Sequence, residues 1–354
     1  MMRVAVVGGG INGVMAAWEF AKSGCLVDLY ERNSLMRATS SASTKMLHGG
    51  LRYLEHGRFD FVRESLHERS WWIRQAPHLA KPFQLVLPVY NGARSRWLIG
   101  AGIRLYDLLA KGSGFPSGRW LRANQLKTAF PSLSEEGLRG GYTYWDAQMD
   151  DYRLGMWAAD QAKTEGVQVL ENTPVEQIAV DGTLVADTTR HYDRVVNLTG
   201  PWAAQLLQRS GISSKYQLNL IRGSHLVINR RVPMGCVLQV PGDKRLVFLL
   251  PNGENALLGT TEVPQPVSDR VEPSADEVEY LLSCYNTFFT DRLGLHDVVH
   301  AFAGLRPVVA SNDDHSSASR ESVIERQNKL INVFGGKWTT SRALAKKIVK
   351  VSMN

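Results

Sequence analysis

Cysteine is scarce in this sequence. Among 354 residues there are three, Cys25, Cys236 and Cys284, which are far apart and odd in number. This pattern argues against a disulfide framework and offers no metal-binding spacing, so we predict no metal site. It is typical of a protein kept in a reducing compartment such as the cytoplasm, where thiols serve as small core residues.

Long apolar runs are also missing. The longest, RVAVVGGGINGVMAAW (3–18) and RLVFLLP (245–251), are interrupted by glycine, proline or charge. Both end well before the roughly 20 residues that a membrane-spanning helix requires. No charged leader precedes a cleavable apolar segment, so the sequence predicts neither a membrane span nor export.

The charge balance is basic but diffuse. The 41 Lys and Arg against 34 Asp and Glu give a net charge of +7. These basic residues form no run and no aromatic-basic module, so we predict no nucleic-acid partner and favour a small anion or an acidic lipid surface. Repeats, low-complexity tracts and flexible linkers are not evident, so a second domain would arise from insertions into the first.

The amino-terminal segment carries a GxGxxG pattern in its required context. A short apolar strand precedes the glycines, and a helical pattern and the strand CLVDLYE follow them. Gly8 permits a tight turn, Gly10 lets the backbone approach a pyrophosphate, and Gly13 lets the helix lie close on the sheet. Glu31 ends the second strand, where its carboxylate can accept hydrogen bonds from a ribose. Glycines alone would indicate only a tight corner, but the coincidence of all five features predicts a dinucleotide site.

The glycine pattern does not by itself distinguish FAD from NAD. A nicotinamide enzyme would continue with further βα units after Glu31, whereas this chain runs into SSASTKMLHGGLRYLEHGRF (40–59). The hydroxyl side chains and paired glycines of that stretch suit a backbone that passes close to an extended cofactor. The sequence therefore favours FAD, with the flavin beside this loop.

Eight blocks together resemble the FAD-dependent glycerol-3-phosphate dehydrogenases and oxidases, within the D-amino-acid-oxidase-like flavoproteins. They follow in the family's order across essentially the whole chain: GGGINGV, ATSSASTKMLHGGLRYLEHGRFDFVRESLHER, APHLAKPF, NLTGPWA, IRGSHLVI, GTTEV, AGLRPV and FGGKWTTSR. Family members continue past the last block into a carboxy-terminal helical domain. The resemblance thus implies a shortened form without that domain.

The predicted fold class is α/β, with a Rossmann-like FAD-binding domain and a β-rich substrate (cap) domain inserted discontinuously. The predicted FAD-binding domain comprises residues 1–82, 146–217 and 298–354, and the predicted cap domain comprises residues 83–145 and 218–297.

Oxidising a secondary alcohol requires hydride transfer to flavin while a base removes the hydroxyl proton. His225 opens an alternating strand and has a suitable ordinary pKa near 6.5. On its own it is better interpreted as a strand histidine that satisfies a backbone carbonyl. The resemblance places it at the substrate, which makes it the expected base, and His48 is the reserve base and a flavin contact.

Two arginines are the expected phosphate ligands. Arg306 is predicted where a strand becomes a loop, and Arg320 lies 14 residues later. The resemblance implies that both hold the substrate phosphate, to which a guanidinium fork can donate two hydrogen bonds at once. Surface salt bridges to neighbouring acidic residues are the alternative; those neighbours are Asp313, Asp314 and Glu321.

Further candidates flank the two glycine pairs. Arg52 and Tyr53 are placed on the substrate side, with simple packing as the alternative for Tyr53. Lys337 is expected at the start of a helix near Trp338, where its charge and the helix dipole would face developing negative charge on the flavin. A solvent-exposed lysine at the helix start is the alternative for Lys337.

The remaining expected cofactor contacts include a second dinucleotide-contacting turn at Thr199 and an adenine cap at Val175. The predicted FAD contacts are Gly8, Gly10, Ile11, Asn12, Gly13, Glu31, Arg32, Thr39, Ser40, Ser41, Lys45, Leu47, His48, Gly49, Gly50, Val175, Thr199, Gly200, Trp202, Gly304, Gly336, Lys337, Trp338 and Thr339. The predicted catalytic residues are His225, Arg306, Lys337 and His48.

Three helical segments are evident. Residues 59–75 place a core stripe at helical spacing: Phe59, Val62, Leu66 and Ile73. Ser274 and Glu277 form a capping box that begins a second helix. The segment 97–109 is apolar on one side with basic residues nearby, so it could rest on an anionic bilayer, although packing against the cap domain is the favoured interpretation.

The sequence predicts an FAD-dependent enzyme that oxidises sn-glycerol 3-phosphate, or a close phosphorylated alcohol, to a ketone such as dihydroxyacetone phosphate. One alternative is an amine or 2-hydroxy-acid oxidase of the same superfamily. Another is a flavin-bearing subunit without catalysis of its own. The electron acceptor stays open among quinone, oxygen and protein. The expected location is the cytoplasm, with peripheral contact at the inner face of the cytoplasmic membrane as a hypothesis.

Overall fold

The computed structural model describes residues 1–92, 95–240, 245–267, 270–310 and 322–354. The helices in these ranges are α1 (Ile11–Lys22), α2 (Phe59–Gln75), α3 (Arg96–Leu109), α4 (Ala123–Ala129), α5 (Asp151–Thr164), α6 (Ala203–Arg209), α7 (Ala275–Phe288) and α8 (Ser341–Met353). The strands are β1 (Arg3–Val7), β2 (Leu26–Tyr30), β3 (Met46–Leu47), β4 (Ala80–Tyr90), β5 (Trp120–Arg122), β6 (Leu138–Met149), β7 (Gln168–Leu170), β8 (Gln177–Ile178), β9 (Thr183–Val185), β10 (Thr189–His191), β11 (Arg194–Asn197), β12 (Leu218–Ile228), β13 (Gly235–Gln239), β14 (Leu246–Asn252), β15 (Asn255–Gly259), β16 (Val263–Pro264), β17 (Val298–Val309), β18 (Val323–Gln327) and β19 (Leu330–Phe334).

The first sheet has the order β18-β19-β11-β1-β2-β7, parallel except for the edge strand β18. Successive side chains of a strand point to opposite faces, so β1 serves two cores. Val4 and Val6 pack with α1, α5 and α8, whereas Ala5 and Val7 pack with α6 and the small sheet of β8, β9 and β10. Both faces are thus covered, as a parallel sheet requires.

The second sheet runs β16-β12-β15-β14-β13-β4-β6-β3, with β17 paired to β12 and β5 paired to β6. Leu226 and Leu249 turn toward α7 on one face, where a second core forms. On the other face, Val237 and Leu257 join a core that includes Tyr106 of α3. These two sheets agree with the predicted α/β class.

The predicted domain boundaries stay a prediction. Two of the predicted boundaries between the FAD-binding and cap domains, after residues 82 and 145, fall within strands β4 and β6. Strand β17 pairs along its length with β12, from Leu218 opposite Val309 to Ile228 opposite Val298, and so it belongs to the second sheet.

Several local predictions can be compared with the structure. The Ser274–Glu277 capping box forms at the start of α7, and the three cysteines are buried with free thiols. The core stripe of α2 was predicted wrongly at Phe59, which is 46% exposed because it lies in the first turn, outside the packed face.

Helix α3 is half-covered. Gly100, Ile103 and Tyr106 are buried against the second sheet, in agreement with the packing interpretation. Its other face leaves Trp97 71% and Leu108 64% exposed. Within the ranges described above, no helix is both long and apolar enough to cross a membrane.

Candidate active site

A cleft of about 2640 Å³ lies between the two sheets. Its lining includes the segments that follow β1, β2, β11 and β19, and the inward face of β12 and β17. In open α/β sheets, ligands bind outside the carboxyl ends of the strands, which is where these segments lie. The volume exceeds the roughly 300–1,000 Å³ of a drug-sized site, so an extended cofactor and a substrate can be accommodated together.

This cleft collects the predicted residues from distant parts of the chain. Every predicted site residue in the described ranges lines it except Gly13 and Leu47. A Cβ on Gly13 would lie 1.8 Å from the carbonyl oxygen of Gly8, so this glycine allows close helix–strand packing. The Leu47 side chain is fully buried in the core on β3. Arg320 lies outside the described residues.

The glycine-rich turn is held by local hydrogen bonds. Gly8 has φ +113°, and a Cβ there would lie 2.4 Å from the Leu198 carbonyl oxygen, so only glycine fits. The Glu31 carboxylate accepts a hydrogen bond from the Gly9 N–H at 2.7 Å. Ser40 Oγ accepts from the Ile11 N–H at 2.9 Å. The first turn of α1 therefore meets the polar loop directly.

The polar loop 40–59, on which the prediction of FAD rests, is hydrogen-bonded to the turn that follows Gly336. Trp338 Nε1 donates to the Ser40 carbonyl at 2.8 Å, and the His48 N–H donates to Thr339 Oγ1 at 3.2 Å. Gly336 has φ +111°, and a Cβ there would lie 2.7 Å from the Asn12 side chain. Helix α8 begins at Ser341, so the prediction of a helix start near Trp338 was wrong by about one turn. The residues before the helix form a turn, and Trp338 and Thr339 in that turn make the two hydrogen bonds to the loop.

Lys337 and Tyr53 form a pair across the cleft. Lys337 Nζ donates to the Tyr53 hydroxyl at 2.8 Å. The ammonium group also lies 4.2 Å from the centroid of the Tyr53 ring and 3.9 Å from that of Phe61, a cation–π arrangement. The Tyr53 ring also packs on Phe61 at a centroid distance of 5.0 Å, and its place on the substrate side stays a prediction. The aromatic contacts hold a positive charge at the cleft wall.

His225 faces the cleft from the middle of β12, not from the strand's start as predicted. Its ring stacks on Phe302 at a centroid distance of 5.0 Å, and Nε2 is 3.0 Å from Thr44 Oγ1. Burial first, and then the positive charges of Arg306 and Lys45, lower the pKa of His225 to about 3. The imidazole is therefore neutral near pH 7, and its low pKa makes it a weak base in the free protein.

Arg306 lies beside His225 on the same face of the β12–β17 pair, with Ile221 opposite Arg306 and Phe302 opposite His225. Its Nη2 donates to the Thr261 carbonyl at 2.9 Å, and the side chain is 36% exposed. The prediction that β17 ends at this arginine was wrong. The strand continues through Pro307 to Val309. Proline has no backbone N–H, and it is tolerated here because, among the described strands, β17 pairs with a neighbouring strand, β12, on one side only.

Two buried aspartates were not predicted. Asp151 at the start of α5 accepts hydrogen bonds from the Lys45 ammonium and from Ser43 Oγ. Lys45 is thereby fixed near the Phe302 ring, at 5.7 Å from its centroid. Pairing a cation of the loop with an acid 106 residues away is a tertiary contact that spacing does not reveal.

Asp146 supports the loop at its other end. It accepts from Arg69 Nη1 at 2.6 Å, from the Tyr106 hydroxyl at 2.7 Å and from the Gly49 N–H at 3.3 Å. Both Asp146 and Arg69 are buried. An acidic residue within the otherwise uncharged run YTYWDAQM was the one available signal.

Comparison with known proteins identifies the family. The family model for FAD dependent oxidoreductases matches residues 3–351. This chain belongs to that family. The similar proteins include members of the predicted glycerol-3-phosphate dehydrogenase family. Glycerol-3-phosphate dehydrogenase of Pseudomonas aeruginosa is 38% identical over 97% of this chain and 70% of its own length. D-erythritol 1-phosphate dehydrogenase of Brucella abortus is 34% identical over 97% of this chain and 72% of its own length.

A solved family structure has the same fold. The glycerol-3-phosphate dehydrogenase from Bacillus halodurans, complexed with FAD, has a TM-score of 0.80 at 26% identity, covering 99% of this chain and 64% of that one. The predictions of the family, of an FAD-dependent oxidoreductase and of FAD as cofactor are thus confirmed. The cleft fits such a cofactor, because its volume of about 2640 Å³ can hold an extended dinucleotide and the glycine turns after β1 and β19 line it.

Proposed function

We propose that this flavoenzyme oxidises glycerol 3-phosphate, or a close phosphorylated secondary alcohol, to the corresponding ketone. When bound, FAD would supply the hydride acceptor. The observation that carries the proposal is the placement of His225 and Arg306 side by side on one strand pair, both facing the cleft. In this proposal, His225 is the proton acceptor and the neighbouring Arg306 is the anion-binding group.

The relatives favour a phosphate over other anions. Two curated relatives at 34–38% identity are named for phosphorylated alcohols, glycerol 3-phosphate and D-erythritol 1-phosphate. Arg306 can bind such a phosphate because part of its guanidinium reaches the cleft while Nη2 is anchored on Thr261. Arg52 lines the same cleft and would add a second cation. Arg320 is expected to complete the phosphate site, as the family resemblance implies.

His225 would take the hydroxyl proton. Its neutral imidazole is the form that accepts a proton, and the hydrogen bond between Nε2 and Thr44 fixes the ring beside the cleft. A substrate phosphate next to Arg306 would offset the positive charges that lower the pKa of His225. We therefore expect the substrate to make His225 a stronger base than it is in the free protein.

Lys337 is proposed to stabilise negative charge and not to accept the hydroxyl proton of the substrate. Its ammonium lies at the turn of glycines expected beside the flavin ring, and it is held there by Tyr53. A fixed positive charge at that wall would stabilise negative charge developing there during the reaction. His48, in the loop opposite, is proposed as a flavin contact.

A longer polyol phosphate is a second candidate. The cleft is large, and D-erythritol 1-phosphate dehydrogenase is among the relatives. A carboxylate substrate, as in amine or 2-hydroxy-acid oxidation, could also use Arg306. The electron acceptor and the contact of α3 with an anionic membrane stay predictions.

A substrate panel tests the proposal. The FAD-loaded protein would be assayed with an artificial dye acceptor and glycerol 3-phosphate, erythritol 1-phosphate, glycerol, glycine and lactate. We expect turnover of one or both phosphorylated alcohols and none of glycerol, which lacks the anion. Turnover of glycine or lactate alone would overturn the proposal in favour of the amine or 2-hydroxy-acid reaction.

A further inference from the structure

Glu277 has more hydrogen bonds than its place in the capping box requires. Its Oε2 accepts from the Ser274 N–H at 3.0 Å, which completes the cap of α7. Its Oε1 accepts from Ser224 Oγ at 2.8 Å and from Thr261 Oγ1 at 2.6 Å. Arg222 Nη2 forms an ion pair with Oε2 at 2.6 Å. A carboxylate that is 4% exposed thus connects α7 to the back of the active-site strand.

Alternation along β12 separates the two sides of this strand. Gly223 and His225 line the cleft, whereas Arg222 and Ser224 point to the opposite face, toward Glu277. The network therefore lies directly behind the proposed catalytic face. Arg222, Ser224 and Glu277 are not among the residues that line the cleft.

Thr261 links the network to the cleft. Its side chain donates to Glu277 and accepts the Ser224 N–H at 2.9 Å. Its carbonyl accepts the Arg306 Nη2 hydrogen bond at 2.9 Å, and the neighbouring Thr260 hydroxyl lies 3.3 Å from the same nitrogen. One residue thus contacts the buried carboxylate with its side chain and the cleft arginine with its backbone.

The carboxylate is charged in this setting. Burial opposes ionisation, but hydrogen bonds from Ser274, Thr261, Ser224 and Arg222 outweigh it and hold the pKa of Glu277 below its ordinary value. Hydrogen bonds to an ionised acceptor are stronger and better oriented than neutral ones. The Thr261 side chain is therefore firmly held, and with it the carbonyl that Arg306 uses.

We propose that Glu277 is a positioning residue for Arg306, acting through Thr261 to aim the guanidinium at the substrate anion. The inference rests on the proposed function, in which Arg306 binds the substrate phosphate. It assigns to a helix-capping residue a second task, setting anion affinity from behind the sheet.

The test compares four variants of the FAD-loaded protein: Thr261→Val, Glu277→Gln, Arg306→Lys and the Thr261→Val/Arg306→Lys double variant. Ser274→Ala is the matched control, because it weakens the cap but leaves the bonds to Thr261. The readouts are the dissociation constant of inorganic phosphate, from perturbation of the flavin visible spectrum, the KM and kcat for glycerol 3-phosphate, and the melting temperature.

We expect Thr261→Val and Glu277→Gln to weaken phosphate binding at least about threefold and to raise KM more than they lower kcat. Ser274→Ala lowers the melting temperature and leaves phosphate binding within about twofold. In the double variant, the loss is smaller than the product of the two single losses, because both act on the same guanidinium.

Two outcomes separate the possible failures. If Arg306→Lys itself leaves phosphate binding unchanged, the proposed function is wrong about this anion site. If Arg306→Lys weakens binding, but Thr261→Val has no effect or multiplies independently with it, the positioning role is overturned. Should Glu277→Gln fail to fold because Arg222 loses its counter-ion, the Thr261→Val cycle decides alone.

Discussion

Arg306 lies across the backbone of Gly223. A Cβ added to Gly223 would be 2.3 Å from Arg306 Nη2, far inside van der Waals contact. The two residues are on neighbouring strands, with Gly304 directly opposite Gly223. The guanidinium can therefore reach Thr261 only because residue 223 has no side chain.

Substituting Gly223 with alanine should displace Arg306. We expect the KM for the phosphorylated substrate to rise about tenfold, since the guanidinium loses its hydrogen-bonded position, an effect worth about 1.4 kcal/mol. Gly102→Ala is the matched control, because a Cβ at that position meets nothing within 4 Å. Unchanged kinetics in Gly223→Ala would show that the position of Arg306 does not matter for substrate binding.

The buried His225 should make stability depend on pH. Its pKa is about 3 in the folded protein, against about 6.5 in the unfolded chain, so between these values the unfolded state binds more protons. The stabilisation is complete above pH 6.5 and is lost as the pH falls toward 3. Between pH 7 and pH 5 the loss is about 2 kcal/mol.

Urea unfolding of the wild type and of His225→Gln at both pH values measures this term. The difference in unfolding free energy between the two proteins should favour the wild type more at pH 7 than at pH 5. Other titrating groups contribute equally to both proteins and cancel. A difference that does not change with pH would contradict a neutral, buried His225.

The Asp146–Arg69 ion pair should be needed for the loop at Gly49. Asp146→Asn leaves the Arg69 guanidinium buried without a counter-ion, which costs about 3–5 kcal/mol. Tyr106→Phe removes the hydrogen bond to the same carboxylate and also the acceptor of the Gly49 N–H at 2.8 Å, and it should cost about 1.5–3 kcal/mol. Because Gly49 lines the cleft, both variants should also release FAD more readily, in the same order.

Chemical unfolding and FAD dissociation by dilution measure the two effects. Ser70→Ala is a suitable control, because Ser70 follows Arg69 on α2. Among the described contacts, the Ser70 hydroxyl donates only to the Leu66 carbonyl of the same helix. Equal stability of Asp146→Asn and the wild type would show that the pair is not a supporting element.

The glycine fingerprint illustrates what local sequence could predict. Gly8 and Gly10 belong to one turn, and Glu31 follows the next strand, so spacing within one βαβ unit carries the information. The roles of His225 and Arg306 could not be derived in this way, because each is an ordinary strand residue until the fold brings them together. Only the family resemblance directed attention to both.

The supporting carboxylates escaped prediction for a related reason. Asp151, Asp146 and Glu277 have partners that lie far away in the sequence. Glu277 was recognised only as a capping residue, since its contacts with Ser224 and Thr261 depend on how α7 packs against the second sheet. Such contacts are set by tertiary packing, which periodicity does not encode.

Anaerobic titration with glycerol 3-phosphate would show whether this substrate itself reduces the bound flavin. Wild-type protein and Arg306→Lys would be mixed with increasing substrate while the visible flavin absorbance is followed. We expect saturable bleaching of the wild type, and an apparent dissociation constant about tenfold higher for Arg306→Lys, because lysine lacks the two-pronged guanidinium fork. No bleaching of the wild type, or identical behaviour of the two proteins, would contradict this expectation.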